Sequence, residues 1–353
     1  MLWRESKLER VQMCGRVPVT PSGQVGLVNN GGVSHYRGLG TCGSIWACPV
    51  CSAKIRGGRA EEISKAAGNW DRAGNTVYLV TLTMPHDYGQ RLKLLLSTVA
   101  ETFSQVIAGG SWLRLKKKVR IVGNIRAMEI THGPNGWHPH LHVLMFIEGQ
   151  PDAAQLAAFK IYFQRKWGEF IVRAGFRAPN GHGVDIQLCK SAAEAGEYIA
   201  KVQETGRAVG NEVARSDTKR GRGADHRTPF EILADFAATG DAVDLALWHE
   251  YEKATKRRQA IAWSKGLREL LLGMTDDDAP SNEDLAAAEV GGEVVALIPG
   301  PVWKRIVSVP GLPEHLLTCH ERGGLEAFNE ELEAHGCGSA LLPLPETFTG
   351  GVP

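Results

Sequence analysis

The segment WHPHLHVLMF carries three histidines at alternate positions, His138, His140 and His142, and an apolar run follows them. Side chains of a β-strand alternate between the two faces of a sheet, so the three imidazoles would point to one face. Neutral imidazole is a common metal ligand in proteins. The spacing therefore indicates a metal site or, as the alternative without chemistry, an exposed strand with one polar face.

A turn signal, HGPNG, connects this segment to a preceding strand that we expect at about residues 119–131. Two loop lengths are compatible with the turn, and they place Glu129 opposite either His140 or His142. In both registers these three side chains share one face, because directly paired residues of antiparallel strands point the same way. His138 has the same parity, but we expect it to be peripheral because it lies beside the turn.

Glu129, His140 and His142 are thus candidate ligands of a catalytic metal ion. Two imidazoles and one carboxylate leave coordination positions open, which suits Mn²⁺ or Mg²⁺. Such an ion would polarise a phosphate oxygen and orient the ester for in-line attack.

A helix expected at residues 191–203 presents Glu194, Tyr198 and Lys201 on one face, because they are three and four residues apart. Tyr198 is a candidate nucleophile that would form a covalent phosphotyrosine. Lys201 would neutralise phosphate charge, and Glu194 would act as a general base that lets water resolve the intermediate. In the alternative reading, Glu194 completes a capping box with Ser191, Lys201 is a solvated lysine and Tyr198 is half-buried.

Three cysteines, Cys42, Cys48 and Cys51, follow the spacing C-x5-C-x2-C. The Cys-Pro-Val-Cys segment places two thiolates within reach of one tetrahedral Zn²⁺. Cys14 is the first candidate for the fourth ligand and His35 is the second. The alternative is a group of reduced cysteines in a small core.

The other three cysteines stand alone in the sequence, and we expect them to be structural: Cys189, Cys319 and Cys337. Basic side chains cluster in three segments that are candidates for contacting DNA phosphates, although each could equally be solvated surface. These candidates are Lys54, Arg56 and Arg59, then Lys116, Lys117 and Lys118, and finally Lys219, Arg220 and Arg222.

Charge is divided unevenly along the 353 residues, of which 43% are hydrophobic. From Thr275 onward there are 14 acidic and 3 basic side chains, which leaves 25 acidic and 37 basic ones before it. A basic body suggests a polyanionic partner and an acidic end suggests an accessory module. No apolar run approaches the ~20 residues of a membrane span. We expect a soluble, cytoplasmic protein with mostly reduced cysteines and no membrane partner.

The expected element order is β-α-β-β-α-β-α, which predicts an α+β fold with a ferredoxin-like (βαββαβ) antiparallel sheet and an added tyrosine helix. The predicted domains are an N-terminal zinc-binding module (1–68), a catalytic domain (69–204), a basic linker (205–228), a helical extension (229–274) and an acidic C-terminal accessory domain (275–353).

The combination of TLTMPH, HPHLHVLMF and EYIAK resembles the three motifs of HUH endonucleases. More narrowly, the chain resembles rolling-circle plasmid replication initiators, with CGSIWACPVCSAKI ahead of these motifs and PFEIL and RQAIAWSKGL behind them. The resemblance covers about residues 10–273. It implies an enzyme that recognises a plasmid origin and nicks one strand within exposed single-stranded DNA.

The resemblance also implies roles for individual residues. Tyr198 would become linked to the 5′-phosphate and leave a free 3′-OH as primer, while His140 and His142 would bind Mn²⁺ or Mg²⁺. Some members use a glutamate four residues before the tyrosine to terminate by hydrolysis, and Glu194 occupies that place.

The sequence lacks a GxxxxGK[ST] nucleotide-binding loop, so unwinding of the origin would need a separate host helicase. A single-tyrosine HUH transposase is the nearest alternative enzyme. A two-tyrosine version is disfavoured because position 202 is Val, and a relaxase usually has its tyrosine before the histidine motif. A zinc-containing DNA-binding regulator without catalysis is the alternative from another class.

Overall fold

The structure is a computed structural model, and it describes residues 2–191, 194–196, 226–289 and 291–337. The chain divides into two compact units, a smaller one made of Met1–Gly43 with Glu283–Pro353 and a larger one made of Ser44–Asn282. The smaller unit therefore combines the two ends of the chain, whereas the sequence predicts five consecutive domains.

The described residues form eight strands and twelve helices. The strands are β1 (Val25–Asn30), β2 (Val33–Arg37), β3 (Thr76–Leu82), β4 (Ile121–Gly133), β5 (Gly136–Ile147), β6 (Val184–Leu188), β7 (Ile261–Trp263) and β8 (Glu293–Ile298). The helices are α1 (Leu2–Glu5), α2 (Glu9–Met13), α3 (Pro49–Arg72), α4 (Leu92–Val106), α5 (Gly109–Val119), α6 (Ala153–Arg173), α7 (Pro229–Thr239), α8 (Ala242–Thr255), α9 (Leu267–Leu272), α10 (Asn282–Ala287), α11 (Gly300–Ile306) and α12 (Leu312–Ala334).

The larger unit contains a five-stranded antiparallel sheet with strand order β6-β3-β5-β4-β7. Together with its helices this sheet confirms the predicted α+β class. If β3, β4, β5 and β6 are counted as the first to fourth strands along the chain, their order across the sheet is fourth, first, third, second. The edge strand β7 is an addition that the sequence did not predict, because its three residues are too short to give a recognisable alternation.

Each face of this sheet is covered by its own set of helices. On one face, Val77 and Ile125 pack in a core with α3 and α9. On the opposite face, the ring of Tyr78 lies 6.4 Å from that of Phe159 in α6. Side chains alternate along each strand, so the residues that have the same parity as this core lie on one continuous face, the α3-facing side.

The β4–β5 hairpin has the first of the two registers considered from the sequence. Gly133 pairs with Gly136, so Pro134 and Asn135 form the turn, and Glu129 lies directly opposite His140. Gly136 has a φ of 85°, a conformation that glycine adopts without steric cost.

The smaller unit combines both ends of the described chain. Strand β1 lies between β2 and β8, and all pairings are antiparallel. Trp303 of α11 and Leu316 and Phe328 of α12 are buried against this sheet. Helix α12 is interrupted at Gly324, where φ is 66° and ψ is −158°, so it consists of two half-helices. Among the described residues, no helix has the length and apolar composition needed to cross a bilayer.

Candidate active site

A carboxylate and an imidazole meet on the α3-facing side of the larger sheet. Oε2 of Glu129 lies 2.7 Å from Nε2 of His142. His142 is paired in register with Thr81 of β3, and Thr81 Oγ1 lies 3.2 Å from His142 Nδ1. Both ring nitrogens of His142 are therefore held by neighbours, which fixes the orientation of the imidazole.

This arrangement is compatible with a metal ligand. When Nδ1–H donates to the Thr81 hydroxyl, the lone pair of Nε2 faces the carboxylate of Glu129. A hydrogen bond to the second ring nitrogen is the usual way in which proteins orient a ligating histidine. Thr81 was not predicted to be a site residue. The sequence signal that could have identified it is its place in the TLTMPH motif.

His140 lies beside the pair as a neutral side chain. Its ring is parallel to that of His142 within 7°, with centroids 6.1 Å apart. Burial lowers the pKa of His140 to about 4, against the opposing effect of Glu129. At neutral pH protons therefore do not compete for this imidazole, as a metal ligand requires.

Glu129 is ionised for the opposite reason. Burial raises the pKa of its carboxyl, but the hydrogen bond and charge of His142, together with the charges of His140 and Arg56, outweigh burial and bring the pKa below its ordinary value. The donor set of one carboxylate and two neutral imidazoles fits Mn²⁺ or Mg²⁺.

The spacing of these three side chains is looser than that of a closed metal site. Among the described residues, two other groups have ligand atoms within 4.8 Å of one another, and the set of Glu129, His140 and His142 is not one of them. Simultaneous binding of one ion by all three would therefore require a side-chain adjustment.

His138 contacts neighbouring histidines, although its place beside the turn predicted a peripheral residue. Its Nδ1 forms a short hydrogen bond with His86 Nε2, and its ring centroid lies 4.1 Å from that of His140. Burial, followed by the charges of His140, His86 and His226, lowers the pKa of His138 to about 3. The expectation of a peripheral residue is corrected, because a histidine from the end of TLTMPH packs against it.

A cleft of about 640 Å³ lies next to this row of histidines. Its lining includes His86, His138, His226, Arg177 and Asn180. The guanidinium of Arg177 is bound to the Asp87 carboxylate at 2.6 Å. The cleft is partly open to solvent, and its lining combines a few polar side chains with apolar surface, as is common for ligand sites.

The predicted tyrosine helix is only partly described, and Tyr198 and Lys201 lie outside the described residues. Residues 194–196 are helical. The backbone N–H of Glu194 donates to Ser191 Oγ at 3.1 Å, and its carboxylate accepts a short hydrogen bond from the Lys190 N–H. Glu194 therefore supports the start of the helix in this structure, as in the capping alternative.

The same short segment is packed onto the face that carries Glu129. Ala195 is 1% exposed and belongs to the core formed with α3 and the sheet. At Gly196 an added Cβ would collide with Ser64 Oγ and would lie 3.0 Å from the carbonyl oxygen of Ala60. Both of these neighbours belong to α3, so the chain that leads to Tyr198 approaches this helix closely.

Two of the predicted DNA contacts near the cysteines are engaged within the protein. Arg56 is only 5% exposed, its Nε donates to Ser52 Oγ at 3.2 Å and its guanidinium lies 5.5 Å from the Trp46 ring. The prediction that Arg56 contacts DNA is therefore wrong, because its charge is enclosed. Arg59 donates to Glu62 at 3.1 Å and to the carbonyl oxygen of Pro280 at 2.7 Å.

The remaining basic candidates are distributed over separate parts of the chain. Lys54 is half-buried in α3. In α5, Lys117 and Lys118 are exposed and Lys116 is half-buried. Helix α5 packs through Trp112 on α6, which covers the face opposite to the histidines. Three further candidates lie outside the described residues: Lys219, Arg220 and Arg222.

The four predicted zinc ligands belong to two units. Cys14 and Cys42 lie in the smaller unit, and Cys48 and Cys51 lie in the larger one. Cys48 is the N-cap residue of α3, and Pro49 starts the helix, so Cys51 lies in its first turn. The Cys-Pro-Val-Cys segment thus places two thiolates at the start of one helix, an arrangement that suits a structural Zn²⁺.

Comparison with known proteins yields one family and several relatives. The family model described as "Replication protein" matches residues 40–296. A "Protein rep" of Streptomyces lividans is 34% identical over 327 aligned residues, which cover 75% of this chain and 71% of the relative. A "Neomycin resistance protein" of Streptomyces cyanogenus is 30% identical, covering 56% of this chain and 55% of the relative. A "Protein rep" of Streptococcus pneumoniae is 25% identical, covering 47% and 49% respectively. No solved structure matches the chain.

Proposed function

This chain belongs to the replication protein (Rep) family, and from that premise we propose that it initiates plasmid replication by nicking and rejoining one DNA strand at the origin. The observation that carries the proposal is the Glu129–His142 pair at 2.7 Å, with His140 directly opposite Glu129 on the α3-facing side of an antiparallel sheet. The strand order of this sheet supports the further proposal of a ferredoxin-like HUH endonuclease fold.

Glu129, His140 and His142 would hold the catalytic ion. When bound, Mn²⁺ or Mg²⁺ would supply charge that polarises an oxygen of the scissile phosphate. Thr81 positions His142 through its ring nitrogen. The charge of the enclosed Arg56 guanidinium favours the ionised form of Glu129.

We assign the nucleophile to Tyr198. Its phenolic oxygen would attack the phosphorus, and the bond between phosphorus and the 3′-oxygen would break. The 3′-oxygen would take up a proton and become the primer end, while the 5′-phosphate would stay on the tyrosine. The phosphotyrosine retains the energy of the cut bond, so attack by a 3′-OH reverses the reaction without a nucleotide.

Lys201 and Glu194 have supporting roles in this proposal. Lys201 would neutralise charge on the phosphate, and Glu194 would accept a proton from the water that hydrolyses the intermediate at termination. Because the Glu194 carboxylate already binds the backbone at the helix start, it would have to leave that position in order to act as a base.

The other parts of the chain would hold and recognise the origin. The four-cysteine cluster predicted from the sequence (Cys14, Cys42, Cys48 and Cys51) would bind a structural Zn²⁺ and support α3. Lys54, the three α5 lysines (Lys116, Lys117, Lys118) and the basic residues near position 220 (Lys219, Arg220, Arg222) would contact DNA phosphates. A host helicase would unwind the nicked duplex in the bacterial cytoplasm.

The nuclease is tested with labelled single-stranded oligonucleotides that tile the plasmid carrying the gene, incubated with the protein and Mn²⁺. A covalent protein–DNA adduct is expected with the wild type and is expected to disappear in Tyr198→Phe. Tyr88→Phe is the matched control, because this substitution removes an equivalent hydroxyl from an exposed tyrosine. Absence of any adduct together with tight duplex binding would favour the regulator, and adducts confined to transposon ends would favour the transposase.

A further inference from the structure

We propose that the C-terminal part of the smaller unit contains a second zinc site, formed by His315, Cys319 and Glu331 of α12. The inference is independent of the nuclease function, since these residues lie beyond the segment that matches the family, which ends at residue 296. From the sequence alone Cys319 was expected to be a structural cysteine.

The interruption of α12 brings the three side chains together. His315 and Cys319 are four residues apart, so they lie on one face of the first half-helix. The left-handed conformation of Gly324 separates that half-helix from the second one, which carries Glu331. The three ligand atoms all lie within 4.8 Å of one another.

Two of the distances between these atoms are close to those that a tetrahedral zinc ion imposes. His315 Nε2 lies 3.1 Å from Glu331 Oε1, and Cys319 Sγ lies 3.6 Å from His315 Nε2. Zinc bonds of about 2.0–2.3 Å to nitrogen, oxygen and sulfur place tetrahedral ligands about 3.3–3.7 Å apart. Little movement would therefore be needed to accommodate the ion.

The types of ligand favour zinc among the biological cations. A thiolate is a poor ligand for Mg²⁺ or Ca²⁺, whereas zinc binds thiolate, imidazole and carboxylate in one site. His315 is 54% exposed, so an ion can reach the site from solvent. Water would occupy the fourth position.

A fourth side chain lies next to the carboxylate. His335 Nδ1 lies 3.2 Å from Glu331 Oε1, and its hydrogen bond is to the carbonyl oxygen of Glu331 at 3.1 Å. An imidazole fixed beside a ligating carboxylate restricts the orientation of that carboxylate, which favours metal binding. His335 is thus a positioning residue for the site.

The ion would join the two half-helices on the side away from the core. Leu316 follows His315 directly and is buried, as are Phe328 and Leu332 on the second half-helix. The hydrophobic contacts of these residues would then be supported from outside by a metal bond that bridges the break at Gly324. The expected consequence is a zinc-dependent increase in the stability of this unit.

Metal content of the full-length protein tests the proposal. Each variant is loaded with excess ZnCl₂, freed of unbound metal by gel filtration and analysed for zinc per chain. Cys319→Ser and Glu331→Gln are expected to carry one zinc fewer than the wild type. Glu330→Gln is the matched control, because Glu330 is the exposed neighbour on the same half-helix, and it is expected to retain the wild-type content.

Competition with a chelating dye adds a measure of affinity. His335→Ala is expected to release the zinc of this site at about tenfold lower chelator concentration. Equal zinc content in Glu331→Gln, Cys319→Ser and Glu330→Gln would overturn the proposal, as would wild-type binding only at millimolar zinc. If Cys319→Ser does not fold, the comparison of Glu331→Gln with Glu330→Gln still decides. Because only the difference between variants is used, the result does not depend on whether the four-cysteine cluster is loaded.

Discussion

Glu129 and His142 interact diagonally across the β4–β5 hairpin, with 2.7 Å between Oε2 and Nε2. Their backbones are not directly paired, since Glu129 faces His140 and Ala127 faces His142. Diagonal neighbours on one face are within reach of long side chains. The small side chain of Ala127 leaves the space in which the carboxylate approaches His142.

Replacement of Glu129 by Gln keeps the size of the side chain and removes its negative charge. We expect the Mn²⁺ concentration for half-maximal nicking to rise about tenfold or more, because a carboxylate is a far better ligand for this ion than an amide. The measurement is the initial nicking rate across an Mn²⁺ titration. Glu148→Gln, an exposed position just after β5, is the control, and equal metal dependence of the two variants would contradict the assignment.

Replacement of both histidines that we propose as metal ligands, His140 and His142, should abolish cleavage. His140→Ala combined with His142→Ala is expected to leave the fold intact, as measured by circular dichroism, because both side chains are only partly buried. Full wild-type activity in excess EDTA would argue against any role for a metal ion at this site.

Gly196→Ala tests the close approach of the tyrosine segment to α3. The added methyl group would collide with Ser64 Oγ, so we expect a loss of about 1–3 kcal/mol in the free energy of unfolding and weaker nicking. Gly168→Ala in α6 is the control, because its nearest non-local atom lies 4.0 Å away and the change should stabilise the helix by about 0.5–1 kcal/mol.

A second substitution refines this test. Ser64→Ala removes the colliding hydroxyl and should partly restore the stability of Gly196→Ala, although the contact with the Ala60 carbonyl remains. Equal stability of Gly196→Ala and the wild type would show that residues 194–196 are not packed against α3.

The metal-free protein should lose stability in acid through His138. Its folded-state pKa is about 3, against an ordinary value of 6.5, so between these values the unfolded chain binds the extra proton. The free energy of unfolding therefore falls as pH decreases from about 6.5. In His138→Gln the slope should be smaller by up to about 1.4 kcal/mol per pH unit. Urea unfolding at several pH values measures both slopes, and identical slopes would contradict the lowered pKa.

Loss of a thiolate from the four-cysteine cluster should remove one zinc per chain. Cys48→Ser is expected to lower both the zinc content and the thermal unfolding temperature, because the ion would bind the thiolates at the start of α3. Cys189→Ser is the control, since Cys189 belongs to neither group of closely spaced ligand atoms. Unchanged zinc content in Cys48→Ser would exclude the cluster as a zinc site.

Local patterns were sufficient for much of the fold and part of the site. The alternation of WHPHLHVLMF placed His140 and His142 on one face, and the turn signal limited the register to two possibilities. The start of α6 is also a local feature, because the side chains of Asp152 and Gln155 form a capping box there. These features depend on residues that are close in sequence, where the periodicities of strands and helices apply directly.

The sequence by itself determined which residues share a strand face, which cysteines have zinc spacing and which family motifs are present. Only the tertiary structure decided that Arg56 is enclosed and that β8 pairs with β1. The latter strands are more than 250 residues apart in the chain. Such pairings depend on the burial of surfaces from distant segments, and a one-dimensional pattern does not record which distant surface covers a given face.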